Sequence, residues 1–290
     1  MPQRILDLHQ AVTLCVDFFY LDGMCCFGSI SRKLQYGSTC GVTSREDDIR
    51  IKCIMNEVLR YKNRGFTVNI VLSDAEFSSV KQSLQNTGIR LNATSASEHV
   101  GEIERFFRFL KERIRALAST LPFSKYPKVL KLAMLKYATF WINALPRKSG
   151  VSNDLGPGTI LDGIEPDFNL HCKVPLGTYC QVHEENVPTN TNAPRTIGAI
   201  CLGPSGNLQG GYEFLSLSTG RIVKRRAFTE LPMPTEVVDL VDRMAEDEHH
   251  NSHALDVTLQ DFSYVYPDDS DTTTLPDDPP SNDNDMHDDS

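Results

Sequence analysis

Several features that mark common classes of protein are absent from this sequence. No apolar run approaches the ~20 residues needed to cross a bilayer, and the N-terminal MPQRILDLHQ lacks the cationic start and apolar segment of a secretory signal. The chain has eight cysteines but no CxxC pair, and it contains no GxxxxGK[ST] phosphate-binding loop. These absences argue against a membrane-spanning or secreted protein, a zinc module and a P-loop enzyme. Most of the cysteines fall in apolar stretches, which favours reduced, buried thiols.

Basic residues are missing from the C-terminal end of the chain. Residues 261–290 contain ten aspartates and no Lys or Arg, whereas residues 1–260 contain 29 basic and 28 acidic residues. The net charge of −9 therefore belongs to the end of the chain, and the rest carries a net charge of +1. Because residues 246–290 are polar and acidic, we expect a disordered tail there. A neutral-to-basic body is compatible with nucleic-acid binding.

The first half of the chain alternates between strand-like and helix-like patterns. Three strand-like segments within residues 11–40 precede a helical pattern, and two further strand-like segments each precede another helix. Two long helical patterns follow, at 97–116 and 125–145, and the second is apolar on several sides. This order predicts an α/β domain over residues 1–147, with a mixed five-stranded sheet and flanking helices.

The second half of the chain has a different pattern. Residues 148–176 are rich in Gly, Pro and Asn and predict a linker. Short alternating segments over residues 177–232, separated by Pro-Ser-Gly-Asn and Ser-Thr-Gly, are typical of a small antiparallel sheet or barrel. A short helix over residues 235–245 completes a second domain at 177–245, and the acidic tail follows at 246–290.

The helix pattern at 97–116 has two distinct rows. One is an apolar stripe at spacings of three and four residues, formed by Ile103, Phe107, Leu110, Ile114 and Leu117. The other lies about 100° further round the helix and begins with an acid followed by three bases, Glu104, Arg108, Lys111 and Arg115. The acid at the start of such a row can bind a metal ion, and the bases after it can bind successive phosphates of a nucleic-acid backbone. The alternative is a solvated face with Glu–Arg pairs one turn apart.

Two aspartates upstream complete a candidate metal site. Asp17 ends the apolar run AVTLCVD, and Asp74 follows the apolar run FTVNIVLS. Ligands in α/β sheets cluster at strand ends, so we expect both aspartates to meet Glu104 at one edge of the sheet. Enzymes that transfer polynucleotide ends use such carboxylates to hold two Mg²⁺ ions roughly 3.5–4 Å apart. Either aspartate alone is more typical of a turn.

The other candidates are fewer and weaker. Glu102 is the rival of Glu104, and it lies on the opposite flank of the apolar stripe. Glu76 and His99 are candidates for groups that support the ligands. No Ser–His–Asp or Cys–His arrangement is persuasive, and none is needed when the attacking group is water or a DNA 3′-hydroxyl.

Six segments carry most of the recognisable motifs of the sequence. In chain order they are VDFFYLDGMCCFGSISR, YKNRGFTVNIVLSDAEF, TSASEHVGEIERFFRFLKERIRA, WINALP, HCKVPLGTYCQVHEE and APRTIGAICLGPSGNLQGGYEFLSLSTGRIVKRRAFTELPMP. Together they resemble the integrase segment of the Pol polyprotein of copia-type LTR retrotransposons. The resemblance extends from about residue 12 to residue 245.

The resemblance implies an RNase H-like catalytic core followed by a small β-barrel. It implies that Asp17, Asp74 and Glu104 are the catalytic residues and hold Mg²⁺ or Mn²⁺. It also implies an enzyme that processes the 3′ ends of element DNA and inserts them into target DNA by strand transfer. Such an enzyme would act in the nucleus as a homo-oligomer. Its partner would be DNA, and it would not bind a membrane.

The sequence departs from the family pattern in three places. The segment after the second aspartate is only DAEF and lacks the extra glycines of the family's fuller form. The 29 residues between Asp74 and Glu104 are fewer than is typical. Only His9 precedes the core, so the upstream His–His–Cys–Cys zinc module is missing. These departures favour a truncated copy. The alternative function is a catalytically inactive, cytoplasmic nucleic-acid-binding or interaction protein derived from such an element.

Overall fold

A mixed five-stranded sheet with helices on both faces forms the N-terminal half of the protein. The computed structural model describes residues 2–94, 100–163, 165–183, 194–206 and 209–250. After helix α1 (Gln3–His9) come strands β1 (Ala11–Leu21), β2 (Met24–Ser31), β3 (Gly37–Gly41), β4 (Thr67–Ser73) and β5 (Arg90–Ala93). The order across the sheet is β3-β2-β1-β4-β5, with β4 and β5 parallel to β1 and the other pairs antiparallel. The predicted mixed sheet with flanking helices is confirmed.

Strand β1 continues beyond Asp17, contrary to the sequence-based expectation that this aspartate ends a strand. It extends to Leu21 and turns through Asp22 and Gly23 into β2, with Leu21 opposite Met24. Both turn residues have positive φ, 46° and 81°. Two such residues form the hairpin turn whose twist matches that of the strands. The hairpin with β2 therefore keeps β1 extended for four residues after Asp17.

Helices cover both faces of the sheet and create two apolar clusters. Helix α2 (Asp47–Lys62), a 3₁₀ helix (Ala75–Val80) and α3 (Lys81–Asn86) lie on one face. Helices α4 (Gly101–Ala118) and α5 (Lys128–Ala144) lie on the other. Alternate side chains of β1 serve the two clusters, because neighbouring residues of a strand point to opposite faces. Leu14 and Val16 face α2, whereas Cys15 and Phe19 face α4.

Helix α4 lies very close to the sheet. Phe107 packs against Gly28 of β2, and Phe106 packs against Gly37 of β3; a Cβ atom on either glycine would overlap the aromatic ring. Asn143 of α5 binds Gly37 as well. Its side chain accepts from the Gly37 N–H at 2.9 Å and donates to the Gly37 carbonyl at 2.6 Å. Glycine within a strand commonly marks such a close approach.

The amphipathic pattern of α4 is confirmed by its burial. Four residues of the predicted stripe are buried and the fifth is partly buried, in the order Ile103, Phe107, Leu110, Ile114 and Leu117. Replacing a core leucine such as Leu110 by alanine typically costs about 2–5 kcal/mol. The stripe therefore fixes which side of α4 faces the sheet and which side faces solvent.

A second sheet follows the expected linker, within which lie helices α6 (Pro157–Leu161) and α7 (Phe168–His171). Its strands are β6 (Tyr179–His183), β7 (Thr196–Pro204), β8 (Tyr212–Ser216), β9 (Ile222–Arg225) and β10 (Phe228–Glu230). They pair antiparallel in the order β10-β6-β7-β8-β9. Among the described residues the pairing is that of an open sheet, and closure into a barrel stays a prediction.

Helix α5 packs against both sheets. Ile200, Leu202 and Leu215 of the second sheet belong to the same apolar cluster as α4 and α5. Lys136 of α5 donates to Glu213 at 2.9 Å, and Glu213 is only 2% exposed. A buried carboxylate needs such a partner.

No described helix, α5 included, is both long and apolar enough to cross a membrane. The division into domains at residues 147 and 177 stays a prediction.

Helix α8 (Thr235–His250) is five residues longer than the sequence pattern predicted. Its side chains bind the segment that leads into α5: Asp242 accepts from the backbone N–H groups of Ser124 and Lys125, both at 3.0 Å. Glu248 accepts from the Lys128 N–H at 2.6 Å. The first N–H groups of a helix have no partner within the helix, so α8 supplies what α5 lacks. Helix α8 thus continues past the expected tail boundary at residue 246. The disordered tail stays a prediction, and residues 251–290 lie outside the described residues.

We predict that two truncations will differ in stability. A chain ending after His250 should unfold with the same free energy as the full chain. A chain ending after Ala245 should lose stability, because it loses the Glu248 acceptor, and loss of a helix cap typically costs about 1 kcal/mol. Urea unfolding followed by circular dichroism measures both.

The matched controls are Glu248→Gln and Asp247→Asn in the full chain. Asp247 is exposed, and no contact of its side chain is found among the described residues. We expect Glu248→Gln to destabilise and Asp247→Asn to have no effect. Equal stability of the two truncated chains would show that these contacts do not hold α5.

Candidate metal and nucleic-acid site

The parallel pairing of β1 with β4 brings Asp17 and Asp74 side by side. The last paired residues are Cys15 and Leu72, and the same register continued by two residues places Asp17 opposite Asp74. Neighbouring strands lie about 4.8 Å apart. Asp74 directly follows the end of β4 and begins the 3₁₀ helix. Two carboxylates that the sequence separates by more than fifty residues are thus neighbours at one edge of the sheet.

The environment of Asp17 disfavours its charged form. Burial, and after it the negative charge of Asp74, raise the pKa of Asp17 to about 7. The Phe18 N–H donates to the Asp17 carboxylate at 2.7 Å and acts against this rise. Two carboxylates that share a site resist simultaneous ionisation. A bound cation removes that conflict, so this pair has the electrostatic character of a cation site.

Glu76 and Arg45 lie next to the aspartate pair. The charge of Glu76 also raises the pKa of Asp17, and the Arg45 guanidinium lowers it. Glu76 forms an ion pair with Arg45 and has Arg50 at 3.7 Å, so its charge is already compensated. The expectation that Glu76 supports the metal ligands stays a prediction. Arg45 was not anticipated, because it lies in a connecting segment; its guanidinium carbon is 5.0 Å from the centroid of the Phe18 ring.

Helix α4 places Glu104 at the level of Asp17. The Phe107 ring lies 4.4 Å from the Phe19 ring and packs on Gly28, the residue paired with Asp17. Glu104 precedes Phe107 by three residues, which is about one helical turn. Its side chain is exposed. Glu104 therefore lies on the first turns of α4, on the same face of the sheet as Asp17.

The structure brings Asp17 and Asp74 together, and Glu104 lies on α4, on the same face of the sheet as Asp17. In the part of the chain that the structure describes, no three His, Cys, Asp or Glu side chains form a group that could hold a metal ion. The carboxylates that raise the pKa of Asp17 are those of Asp74 and Glu76. His99 and the rest of residues 95–99, just before α4, lie outside the described residues. The three-carboxylate site stays a prediction.

Glu102, the rival of Glu104, has another partner. It accepts from the Arg32 guanidinium at 2.7 Å, beyond the end of β2. Burial raises the pKa of the Cys15 thiol to about 12, and the charge of Glu102 adds to that rise. Glu102 thus lies on the other flank of α4, as the helical spacing predicted, and its charge is compensated by Arg32.

The basic row of α4 is largely open to solvent. Arg108 and Arg115 are exposed, and Lys111 is half-buried with its ammonium 5.7 Å from the centroid of the Phe19 ring. Within the described ranges no ion pair includes any basic residue of α4, namely Arg105, Arg108, Lys111, Arg113 and Arg115. The alternative of Glu–Arg pairs along this helix is therefore not observed there, and the row presents uncompensated positive charge.

No family model matches the chain, and no curated protein matches it. Among solved structures, the chain is similar to the catalytic core domain of BIV integrase. The match covers 52% of this chain and 93% of the integrase domain, with 17% sequence identity and a TM-score of 0.39. A similarity at that level carries no argument about activity, so the proposals below rest on the residues of this chain.

We predict that Asp17 titrates near neutral pH and that Asp74 contributes to this. Carbon-detected NMR of the side-chain carboxyl should give a pKa of about 7 in the metal-free protein. Asp74→Asn should lower that pKa, because it removes the like charge. Added Mg²⁺ should also lower the apparent pKa, since metal and proton compete for the same oxygens.

The raised pKa of Asp17 also predicts how the stability of the fold changes with pH. The folded pKa of Asp17 lies above its ordinary value of 3.8, so the native state binds this proton more tightly than the unfolded state. Stability should therefore fall as pH rises from about 4 to about 7, and Asp17→Asn should reduce that fall. Asp22→Asn, in the hairpin turn, is the control and should change neither quantity. A wild-type Asp17 that titrates near pH 4 would contradict the coupling.

Proposed function

We propose that the protein is a polynucleotidyl transferase with an RNase H-like core, which uses a divalent cation to act on DNA phosphodiesters as a retrotransposon integrase does. The observation that carries this proposal is the pairing of Asp17 with Asp74 where β4 ends. The strand order β3-β2-β1-β4-β5, with α4 on the same face as Asp17, supports an RNase H-like assignment. The resemblance of the sequence to copia-type integrases adds to it.

The aspartate pair fits a hard divalent cation. Mg²⁺ and Mn²⁺ prefer oxygen ligands, and the Asp17 carboxyl is half-buried beside a second carboxylate that raises its pKa. Asp17 and Asp74 would hold the cation, and Glu104 is the proposed third ligand. A cation held there supplies charge stabilisation at a phosphoryl oxygen and lowers the pKa of a bound water.

The chain's own residues would orient the nucleic acid at this edge of the sheet. The exposed guanidinium groups of Arg108 and Arg115 can bind phosphate oxygens, with Lys111 between them on the same row. Arg45, beside the aspartates, can limit the charge repulsion between carboxylates and phosphate. The proposed substrates are the ends of the element DNA and a target DNA. The proposal includes a homo-oligomeric enzyme that acts in the nucleus.

A second candidate function is nucleic-acid binding without catalysis. The observation that favours it is the exposed Glu104, together with the absence of a three-residue metal group among the described residues. In that case the basic face of α4 would still bind DNA, and the carboxylate pair would have no reaction to support. The two functions differ in whether the carboxylates matter to any activity on DNA.

We predict that Asp74→Asn and Glu104→Gln abolish Mg²⁺- or Mn²⁺-dependent nicking or strand transfer by the full-length protein. The loss should exceed about 100-fold, the upper loss typical of groups that only support a ligand. Both changes keep side-chain volume and remove one charge, so the fold should persist. Glu112→Gln, an exposed change on the same helix, is the matched control and should retain activity.

The outcomes separate the two candidates. Wild-type activity in the presence of Mg²⁺ for Asp74→Asn would exclude it as a ligand. Loss in Asp74→Asn with full activity in Glu104→Gln would leave Asp17 and Asp74 as the site and remove Glu104 from it. A wild-type protein that binds DNA but never nicks or joins it would favour the non-catalytic function.

We predict a uniform effect on DNA affinity when Arg108, Lys111 and Arg115 are all replaced by Gln. Affinity should fall for every sequence tested, and the slope of log K against log salt should flatten by up to about 0.9 per lost phosphate contact. Replacing Lys52 and Lys62 of α2 by Gln is the control, because these exposed lysines lie on the helix that covers the opposite face of the sheet. An unchanged slope in the triple variant would show that this row is an ordinary solvated face that does not bind DNA.

A further inference from the structure

The other flank of α4 carries an aromatic ring with two guanidinium groups against it. Phe109 is 36% exposed. The guanidinium carbon of Arg113 lies 4.8 Å from its ring centroid, and that of Arg147 lies 5.8 Å from it. Phe109 and Arg113 are neighbours because they are four residues apart on one helix. Arg147 comes from the segment after α5, which packs along α4.

Neither guanidinium group has a counter-charge among the described residues. No ion pair includes Arg113 or Arg147 in the part of the chain that the structure describes. The Nη2 atom of Arg147 is buried without an acceptor among those residues, and burial lowers the pKa of this guanidinium. Glu102, the acid of the same flank, is already paired with Arg32. Arg113 is exposed and Arg147 is partly exposed, so an external anion can reach both guanidinium groups although the Nη2 atom of Arg147 is buried.

The two flanks of α4 are separated by the width of the helix. Phe109 and Arg113 lie about 140–180° around the helix from Glu104, the head of the basic row. A helix with its side chains is about 10–12 Å wide, and the major groove of B-DNA is about 12 Å wide. Cations on both flanks can therefore face the two strands that border one groove.

We propose that Phe109, Arg113 and Arg147 form a second phosphate-binding surface, which contacts one strand of duplex DNA while the basic row contacts the other. The choice of DNA as the ligand rests on the proposed function. Arg113 and Arg147 bind phosphate oxygens, and an anion placed there supplies the counter-charge that Arg147 lacks. Phe109 is a positioning residue, since its ring holds both guanidinium groups by cation–π contacts.

The test measures binding of the full-length protein to a short DNA duplex in EDTA, by fluorescence anisotropy over a series of NaCl concentrations. Arg113→Gln with Arg147→Gln should weaken binding and flatten the slope of log K against log salt by up to about 0.9 for each contact. Phe109→Ala should reproduce part of this loss, and Phe109→Trp should restore wild-type binding because it keeps the aromatic face. Lys52→Gln with Lys62→Gln removes the same charge elsewhere and should leave the slope unchanged.

The proposal predicts a smaller loss on single-stranded DNA of the same length, because only one strand is then present. An equal loss on single strands would overturn the two-strand arrangement, and an unchanged slope on the duplex would overturn the surface itself. Thermal unfolding of each variant shows whether a loss comes from misfolding, and Phe109→Trp keeps the test decisive if Phe109→Ala fails to fold.

Because EDTA removes the cation, this result is independent of catalysis. A flattened slope in a protein that never joins DNA would support the surface while the proposed enzyme fails. A metal-dependent enzyme whose Arg113/Arg147 variant binds like wild type would overturn this surface alone.

Discussion

The contact of two phenylalanines of α4 with two strand glycines determines how α4 lies against the first sheet. Phe107 on Gly28 and Phe106 on Gly37 leave no room for a Cβ atom, so α4 approaches the sheet as closely as a helix can. This contact sets both the height of α4 along β1 and its rotation. The positions of Glu104 and of both basic flanks follow from it, and a methyl group added to Gly28 would displace all of them together.

The aspartate pair shows what it costs a protein to hold two carboxylates close together in a partly buried place. Asp17 lies in a half-buried place beside Asp74, where its charged form is disfavoured. Arg45 relieves part of this conflict but is shared with Glu76. The structure thereby keeps two acids close that would repel each other at neutral pH. Such an arrangement makes cation affinity depend on pH, because the bound proton must leave first.

Local regularity explains which parts could be predicted from the sequence. The stripe of α4 and the strands around Asp17 and Asp74 follow from periodicity, and the closeness of the two aspartates follows from the parallel register of β1 and β4. The position of Asp17 inside its strand depended on the hairpin, which periodicity does not report. Arg45 and Arg147 could not be anticipated, because each lies in an irregular segment and gains its neighbours only from tertiary packing.

Helix α8 has a consequence for how the molecule is made. Glu248, the acceptor for the first N–H of α5, and Asp242, which binds the segment just before α5, both lie more than a hundred residues later in the chain. Contacts between residues so distant in sequence slow folding, because a long loop must close before they form. During synthesis, which proceeds from the N-terminus, the helix between the two sheets remains incompletely capped until α8 has been made. The central helix of the protein is thus completed among the last, and a chain that lacks α8 would leave the first N–H of α5 without its acceptor.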